Sequence, residues 1–327
     1  MDDGVERTLA ATRALVLPAL RAGVDTLPES LRLVVQHHLG WSDDAAPGGK
    51  MVRPALALLS ARAVGGSARA AVPAAVAVEL VHDFSLLHDD IVDGDRVRRH
   101  RPTAWVAFGV PKAILAGDAL CALAVRVAAD AHPEAVGALA AGLRGLMDGQ
   151  AADLDFQTRL DVTLPECERM VSGKTAALLR CACAMGAMAG GGSRHQVDTM
   201  ADFGEHLGMA FQFTDDILGI WGDPAVTGKP AASDIANRKK SLPVVAALDA
   251  PGASELRDLY ALPRPLTEEE RLRATELIER AGARRWAQHR VEHHLGEALA
   301  LLDKVEPEQA AADDLVGLTH ALARRDR

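Results

Sequence analysis

The sequence predicts an all-α protein, a single large helical bundle around a central cavity. Three observations carry that prediction. Apolar residues recur at helical spacing along almost the whole chain. Alanine and leucine dominate while aromatics make up only 3% of 327 residues, and β-branched runs with strict alternation are nearly absent. Hydrophobic residues reach 49%, ample for a large core. Length alone would suggest two domains. The Gly/Pro-rich pieces, however, such as Gly190–Ser193 and Pro263–Pro265, are short enough to be helix connections, so residues 1–327 are read as one domain.

Periodicity places helices over 5–22, 29–39, 53–65, 71–94, 111–130, 133–158, 164–189, 195–221, 239–249, 267–282 and 283–304, with one or two short ones beyond. Thr267 with Glu270 three residues on is a capping box that opens a late helix. No unit of 20–50 residues repeats.

Charge narrows the function. With 36 basic and 45 acidic residues the net charge is −9, and no basic face of the kind a nucleic-acid reader shows is visible. Positive charge is local, at Lys50/Arg53, Arg96–Arg101 and Arg238–Lys240, which points to small anionic ligands. Cys121, Cys167, Cys181 and Cys183 lack metal-ligand spacing and are read as buried free thiols. The start, Met-Asp-Asp-Gly, has no signal-peptide character and no apolar run approaches ~20 residues. A cytoplasmic protein without stable membrane insertion is expected.

The helix over 71–94 ends in Asp89-Asp90-Ile91-Val92-Asp93. Asp89 and Asp93, four apart, share one helix face, where paired carboxylates hold hard cations such as magnesium. A solvated helix end explains a bare DDxxD equally well. Here, though, the preceding Glu79–Leu87 is largely apolar, and carboxylates at a helix C-terminus oppose the macrodipole unless a cation joins them. The helix over 195–221 ends likewise, in Asp215-Asp216-Ile217-Leu218-Gly219, followed by Gly228-Lys229-Pro230 and Arg238-Lys239-Lys240. Two acidic clusters, each trailed by a basic run, are the chemistry of diphosphate bound through metals.

In this order the motifs resemble those of the trans-isoprenyl diphosphate synthases, or polyprenyl synthetases, from about Leu17 to the C-terminus. They are Gly48-Gly49-Lys50-Met51-Val52-Arg53-Pro54, Glu79–His82, Asp89–Asp93 and Arg98-Arg99-His100-Arg101-Pro102-Thr103. Gly117-Asp118, Gly149-Gln150 with Asp153, Lys174-Thr175, Phe211-Gln212, Asp215-Asp216, Gly228-Lys229-Pro230 and Lys239 follow. Within the family the chain most resembles the geranylgeranyl diphosphate synthases of high-GC bacteria.

The resemblance implies a magnesium-dependent, homodimeric enzyme that joins isopentenyl diphosphate to dimethylallyl, geranyl or farnesyl diphosphate. It implies three magnesium ions per active site, held by Asp89, Asp93 and Asp215, with Asp90 and Asp216 in support. Arg98, Lys174, Lys229 and Lys239 would neutralise the allylic diphosphate, while Lys50, Arg53, His82 and Arg99 would hold isopentenyl diphosphate without metal. The oxygens of Thr175 and Gln212 would face the developing cation. Two positions depart from the family: Gly219 stands where many members have Asp, and Met51 where many have a basic residue. Loss of a metal ligand would mark a non-catalytic subunit of a heteromeric synthase, and only Gly219 hints at it. A terpene cyclase on the same fold has no use for a second diphosphate pocket.

Helix geometry addresses product length. Ser85 lies one turn below Asp89, and Phe84 five residues before it, ~7.5 Å deeper at 1.5 Å per residue. Small Ser85 leaves the upper channel open, and Phe84 is the first bulky side chain below. Farnesyl-producing relatives place aromatics at both positions or lengthen the first acidic motif. The pattern here resembles geranylgeranyl producers and implies a twenty-carbon product, with fifteen carbons as the alternative.

Two other patterns do not carry function. Gly173-Lys174-Thr175 resembles the end of a P-loop, but the earlier glycine it needs is Glu168. His289-Arg290-Val291-Glu292-His293 matches an inverted zincin signature on an amphipathic helix whose face is expected to be solvated.

Overall fold

The computed structural model describes residues 3–41, 49–223 and 232–323. Lys229, with the rest of Gly228-Lys229-Pro230, lies outside the described residues, as does Gly48.

The chain opens with α1 (Asp3–Val24), α2 (Glu29–Leu39) and α3 (Val52–Ala63), then a 3-10 turn at Ala68–Ala71 leading into α4 (Val72–Val92). A two-residue hairpin follows, β1 (Val97–Arg98) and β2 (Arg101–Pro102), then α5 (Ala104–Phe108), α6 (Val110–Ala129) and α7 (Ala135–Thr158). Next come α8 (Leu164–Val171), a π turn at Ser172–Ala176, α9 (Ala177–Ala189) and α10 (Arg194–Trp221). The last part holds α11 (Ser233–Ala236), α12 (Leu242–Asp249), α13 (Ser254–Ala261), α14 (Glu268–Arg280), α15 (Ala283–Lys304) and α16 (Gln309–Ala323). The all-α expectation holds.

Helix α4 packs along α6 and α3, while α9 lies between α3 and α10, and α10 is also covered by α15. Residues 68–92 are long and apolar enough to cross a membrane by length and composition, contrary to the sequence reading. The physical reason is packing: a helix apolar on every side is what a bundle interior requires, and Ala74–Leu80 of α4 are all buried.

Local chemistry explains the remaining differences. The helix expected over 164–189 is interrupted by the π turn, and the one over 239–249 starts at Leu242 with Pro243 in its first turn. Short α5 and α13 and the hairpin were not anticipated, because they carry too few residues to show a period. The capping box is present: the Thr267 hydroxyl accepts from Glu270 N at 3.3 Å, and Glu270 accepts from Thr267 N at 2.8 Å. Thr163/Glu166 and Ser193/Gln196 form two more.

The hairpin turns on Arg99 and His100, both at positive φ (50° and 63°), the backbone demanded by a tight two-residue turn but unusual for side chains of this size. Arg101 anchors it by donating to the carbonyls of His37 (3.1 Å) and His38 (3.4 Å), at the C-terminal end of α2.

Candidate active site

Helix α4 delivers Asp89 and Asp90 in its last turn, with Asp93 capping it. The three are treated differently. Asp90 is buried, and its Oδ1 accepts from Arg98 Nε at 2.6 Å, while Oδ2 is buried without a partner. The carboxylates of Asp89 and Asp93 have no hydrogen-bond or ion-pair partner among the described residues; the Asp93 N–H donates to the Asp89 carbonyl at 2.8 Å. Burial pushes the Asp89 carboxyl up to about 6 against the pull of Lys174, with Asp93 adding to the rise. Desolvated oxygens one turn apart, repelling each other, suit a hard divalent cation. Among the described residues no three acidic, His or Cys side chains gather tightly enough to hold a metal alone. Ligand oxygens would complete the shell.

On α10, Asp216 is buried and held from three sides. It accepts from Gln212 Nε2 at 2.8 Å and from the Leu242 backbone N–H at 2.9 Å, and Lys239 Nζ stands 3.7 Å away. Burial lifts its carboxyl to about 6 even so. Gln212 is oriented in turn, its carbonyl oxygen accepting from the Thr175 hydroxyl at 2.7 Å. Lys239 also lies 3.9 Å from Asp234. Burial opposes its charge, but Asp216, Asp234, Asp153 and Asp215 together hold the ammonium above its ordinary range.

The two clusters meet at Asp153 and Lys174. Asp153 on α7 pairs with Lys174 on the π turn, and its charge is felt at Asp89 and Asp93 on one side and at Lys239 on the other. Helix α7 passes very close to the π turn. A Cβ at Gly149 would lie 2.2 Å from Lys174 N, so only glycine fits there. The widened turn carries Lys174 and Thr175 together, as π bulges at functional sites do.

A cleft of about 440 Å³ gathers Lys50, Arg53, Glu79, His82, Arg99 and Phe211. Leu322 of α16 also lines it. Three cations thus come from the α3 entry and the hairpin turn, while α4 supplies Glu79 and His82. Burial, then Arg53 and Arg99, drives the His82 imidazole well below its usual range, so it is neutral. Burial, then Asp83, pushes Glu79 up to about 8 despite those arginines, so at neutral pH it carries a proton. The cleft's lining is thus dominated by the cations Lys50, Arg53 and Arg99.

The structure thus brings Asp89, Asp93, Asp153, Lys174, Asp216 and Lys239 together, with Thr175 and Gln212 linked to Asp216, and sets Lys50, Arg53, His82 and Arg99 apart in their own cleft. Arg98 turns to Asp90. Phe84 and Ser85 are buried below the first cluster; the Phe84 ring meets His88 edge-on at 4.8 Å, and the Ser85 hydroxyl donates to His82 O at 2.8 Å. Asp153, Glu79 and Asp234 had no assigned role in the sequence reading. Their partners come from other helices, so only the family spacing around Gly149-Gln150 and Glu79–His82 pointed to the first two. Gly173-Lys174-Thr175 is a helical turn with no strand before it, and His289, Glu292 and His293 are exposed. A second hollow of about 580 Å³, between α8, α10 and α15, contains none of the predicted site residues.

The sequence profile of the polyprenyl synthetase family matches residues 40–278. The (2E,6E)-farnesyl diphosphate synthase of Mycobacterium tuberculosis is 41% identical, over 97% of this chain and 92% of its own length. The geranylgeranyl diphosphate synthase of the same organism is also 41% identical, over 97% and 93%. The crystal structure of a polyprenyl synthetase from Streptomyces coelicolor superposes with a TM-score of 0.92 at 44% identity, covering 97% of this chain and 99% of that one. The chain belongs to the polyprenyl synthetase family.

Proposed function

We propose that this chain condenses isopentenyl diphosphate with an allylic diphosphate and that its main product carries twenty carbons. The observation that carries the reading is the separation of two anion sites: an oxygen-rich centre on α4 and α10, and a cationic cleft beside it. A cyclase or a diphosphatase needs only the first.

Magnesium would be held by Asp89, Asp93 and Asp215, and when bound it supplies Lewis-acid assistance to the departing diphosphate. Lys174 and Lys239 place positive charge where that diphosphate leaves; Asp153 and Asp216 hold the two ammonium groups in position. Arg98 holds Asp90 in place by donating to its Oδ1. Lys50, Arg53 and Arg99 grip the isopentenyl diphosphate, with neutral His82 adding a hydrogen bond. As the allylic C–O bond breaks, the isopentenyl double bond attacks the allylic cation. The new tertiary cation then loses a proton to the released diphosphate. The oxygens of Thr175 and Gln212 sit beside that charge, with Gln212 fixed by Asp216. No side-chain nucleophile takes part.

Fixed by His88, the Phe84 ring forms the channel floor, and Ser85 turns its hydroxyl back to the backbone. Fifteen carbons is the second reading, since the farnesyl and geranylgeranyl synthases of M. tuberculosis match this chain equally. The exposed apolar residues of α6 and α7, Val110, Ile114, Leu115, Val125, Met147 and Leu154, support a homodimer. Free thiols throughout fit the cytoplasm.

Incubation with labelled isopentenyl diphosphate and each allylic primer, followed by product analysis, tests this. Twenty carbons are expected, Ser85→Phe should stop at fifteen, and Phe84→Ala should lengthen the product. A wild type that stops at fifteen, with Ser85→Phe unchanged, places the floor elsewhere. Consumption of a long prenyl diphosphate without isopentenyl diphosphate makes the chain a cyclase.

A further inference from the structure

We propose that Arg13 of α1 is a positioning residue for the cationic cleft, holding the backbone that carries Lys50 and flanks Arg99. The inference rests on reading that cleft as the isopentenyl diphosphate site. The cleft's cations stand on two stretches of left-handed backbone. One leads into α3, with Gly49 at φ 96° and Met51 at φ 57°; the other is the hairpin turn, with Arg99 and His100 at 50° and 63°. Large side chains in this conformation cost free energy, and the conformation persists only where neighbours fix it. The start of α3 has no capping side chain to do so.

Arg13 supplies the fixing contact from outside the loop. Its Nη2 donates to the Gly49 carbonyl oxygen at 2.8 Å, the one hydrogen bond that the guanidinium makes among the described residues. The two left-handed stretches meet at the same glycine. A Cβ built on Gly49 would lie 3.4 Å from Arg99 Nη2 and 3.6 Å from its Nη1, so the Arg99 guanidinium lies beside this backbone. A shift of Gly49 therefore moves Lys50, its chain neighbour, and takes away the flank of Arg99. Helix α1 is itself held in register. Five residues before Arg13, ~7.5 Å along the axis at 1.5 Å per residue, the Thr8 hydroxyl donates to Asp314 Oδ1 at 3.0 Å. Arg62 of α3 donates to Asp314 Oδ2 at 2.7 Å. Asp314 belongs to α16, whose Leu322 lines the cleft. One helix thus braces the loop, α3 and α16 at once.

Calorimetric titration of the full chain with isopentenyl diphosphate in EDTA, beside steady-state kinetics with magnesium, tests the proposal. Arg13→Met keeps the apolar stem and loses the donor. It is expected to weaken isopentenyl diphosphate about tenfold and to raise its KM alike, the effect of losing one hydrogen bond from a charged group. KM for the allylic primer and kcat should stay within about twofold of wild type, a split that a general loosening of the fold would not produce. Arg13→Lys can still donate once to Gly49 and should restore binding to within about threefold of wild type. Gly49→Ala strains the loop directly; combined with Arg13→Met it should cost less than the two single effects multiplied, because both act through one loop. Melting temperatures taken alongside separate a loss of fold from a loss of position. Wild-type affinity in Arg13→Met, equal losses for both substrates, or no rescue by lysine overturns the proposal. Wild-type protein that binds no isopentenyl diphosphate in EDTA, or Arg53→Ala that binds it as tightly as wild type, overturns instead the reading of the cleft.

Discussion

At the C-terminal ends of α4 and α10 the site presents carboxylates without enough cations. Two turns toward the N-terminus of α4, around Glu79 and His82, it presents the cations Lys50, Arg53 and Arg99. Both regions read as diphosphate sites, yet their protonation is arranged oppositely. In the acidic centre Asp89 and Asp216 are pushed up to about 6, so both remain ionised at neutral pH. In the basic cleft burial neutralises the two groups that would confuse the charge, Glu79 by keeping its proton and His82 by shedding it. Lys50, Arg53 and Arg99 line that cleft. The difference teaches how one pocket can tell two similar diphosphates apart. On the proposed reading, the group that must leave would be met through a Lewis acid, and the group that must stay by direct hydrogen bonds.

The largest expected effect attacks the acidic side. Asp89→Ala or Asp215→Ala should lower kcat about 10³-fold with the fold intact, because several kcal/mol of leaving-group stabilisation is lost. Steady-state rates at saturating magnesium check it; near-normal turnover of Asp215→Ala would remove that residue from the metal set.

Arg53→Ala and Arg99→Ala attack the other side. Each removes a charge-assisted contact of about 1.5–3 kcal/mol, so KM for isopentenyl diphosphate should rise about 10–150-fold while KM for the allylic primer changes little. Equal rises for both substrates would erase the distinction between the regions.

How much of this contrast was legible beforehand varies by region. The ends of α4 and α10 were visible because carboxylates closing an apolar helix conflict with its dipole. The cationic cleft was visible only through family motifs, since Lys50, Arg53 and Arg99 come from an irregular entry and a hairpin that periodicity does not reveal. Arg98 and Arg99 are adjacent in sequence, and nothing local shows that one turns to Asp90 while the other lines the cleft; the positive-φ turn separates them. The close approach of Gly149 to the π turn was hidden because Gly149 lies on another helix. The neutral state of His82 follows from burial and nearby guanidinium groups that sequence does not bring together.

A smaller effect sharpens the protonation contrast. Glu79 has an ordinary value of 4.5 and is raised in the folded protein to about 8, so the native state binds the extra proton. Its stabilising contribution is full below 4.5 and is lost as pH rises to about 8, with a slope of at most ~1.4 kcal/mol per pH unit for one proton. Glu79→Gln mimics the protonated form. Its melting temperature should match wild type at pH 5 and exceed it at pH 8–9, by a margin that grows between those limits. A constant offset across that range would mean that Glu79 is ionised in the fold.

The central claim is that one diphosphate is bound through metal and the other is not. Calorimetric titration of isopentenyl diphosphate and of a non-ionisable allylic thiodiphosphate, each with magnesium and with EDTA, tests it most directly. The account predicts that removing the metal weakens the allylic analogue by at least about 10²-fold, the loss of a several-kcal/mol metal contact, and isopentenyl diphosphate by no more than a few-fold. Equal losses for both ligands would contradict it.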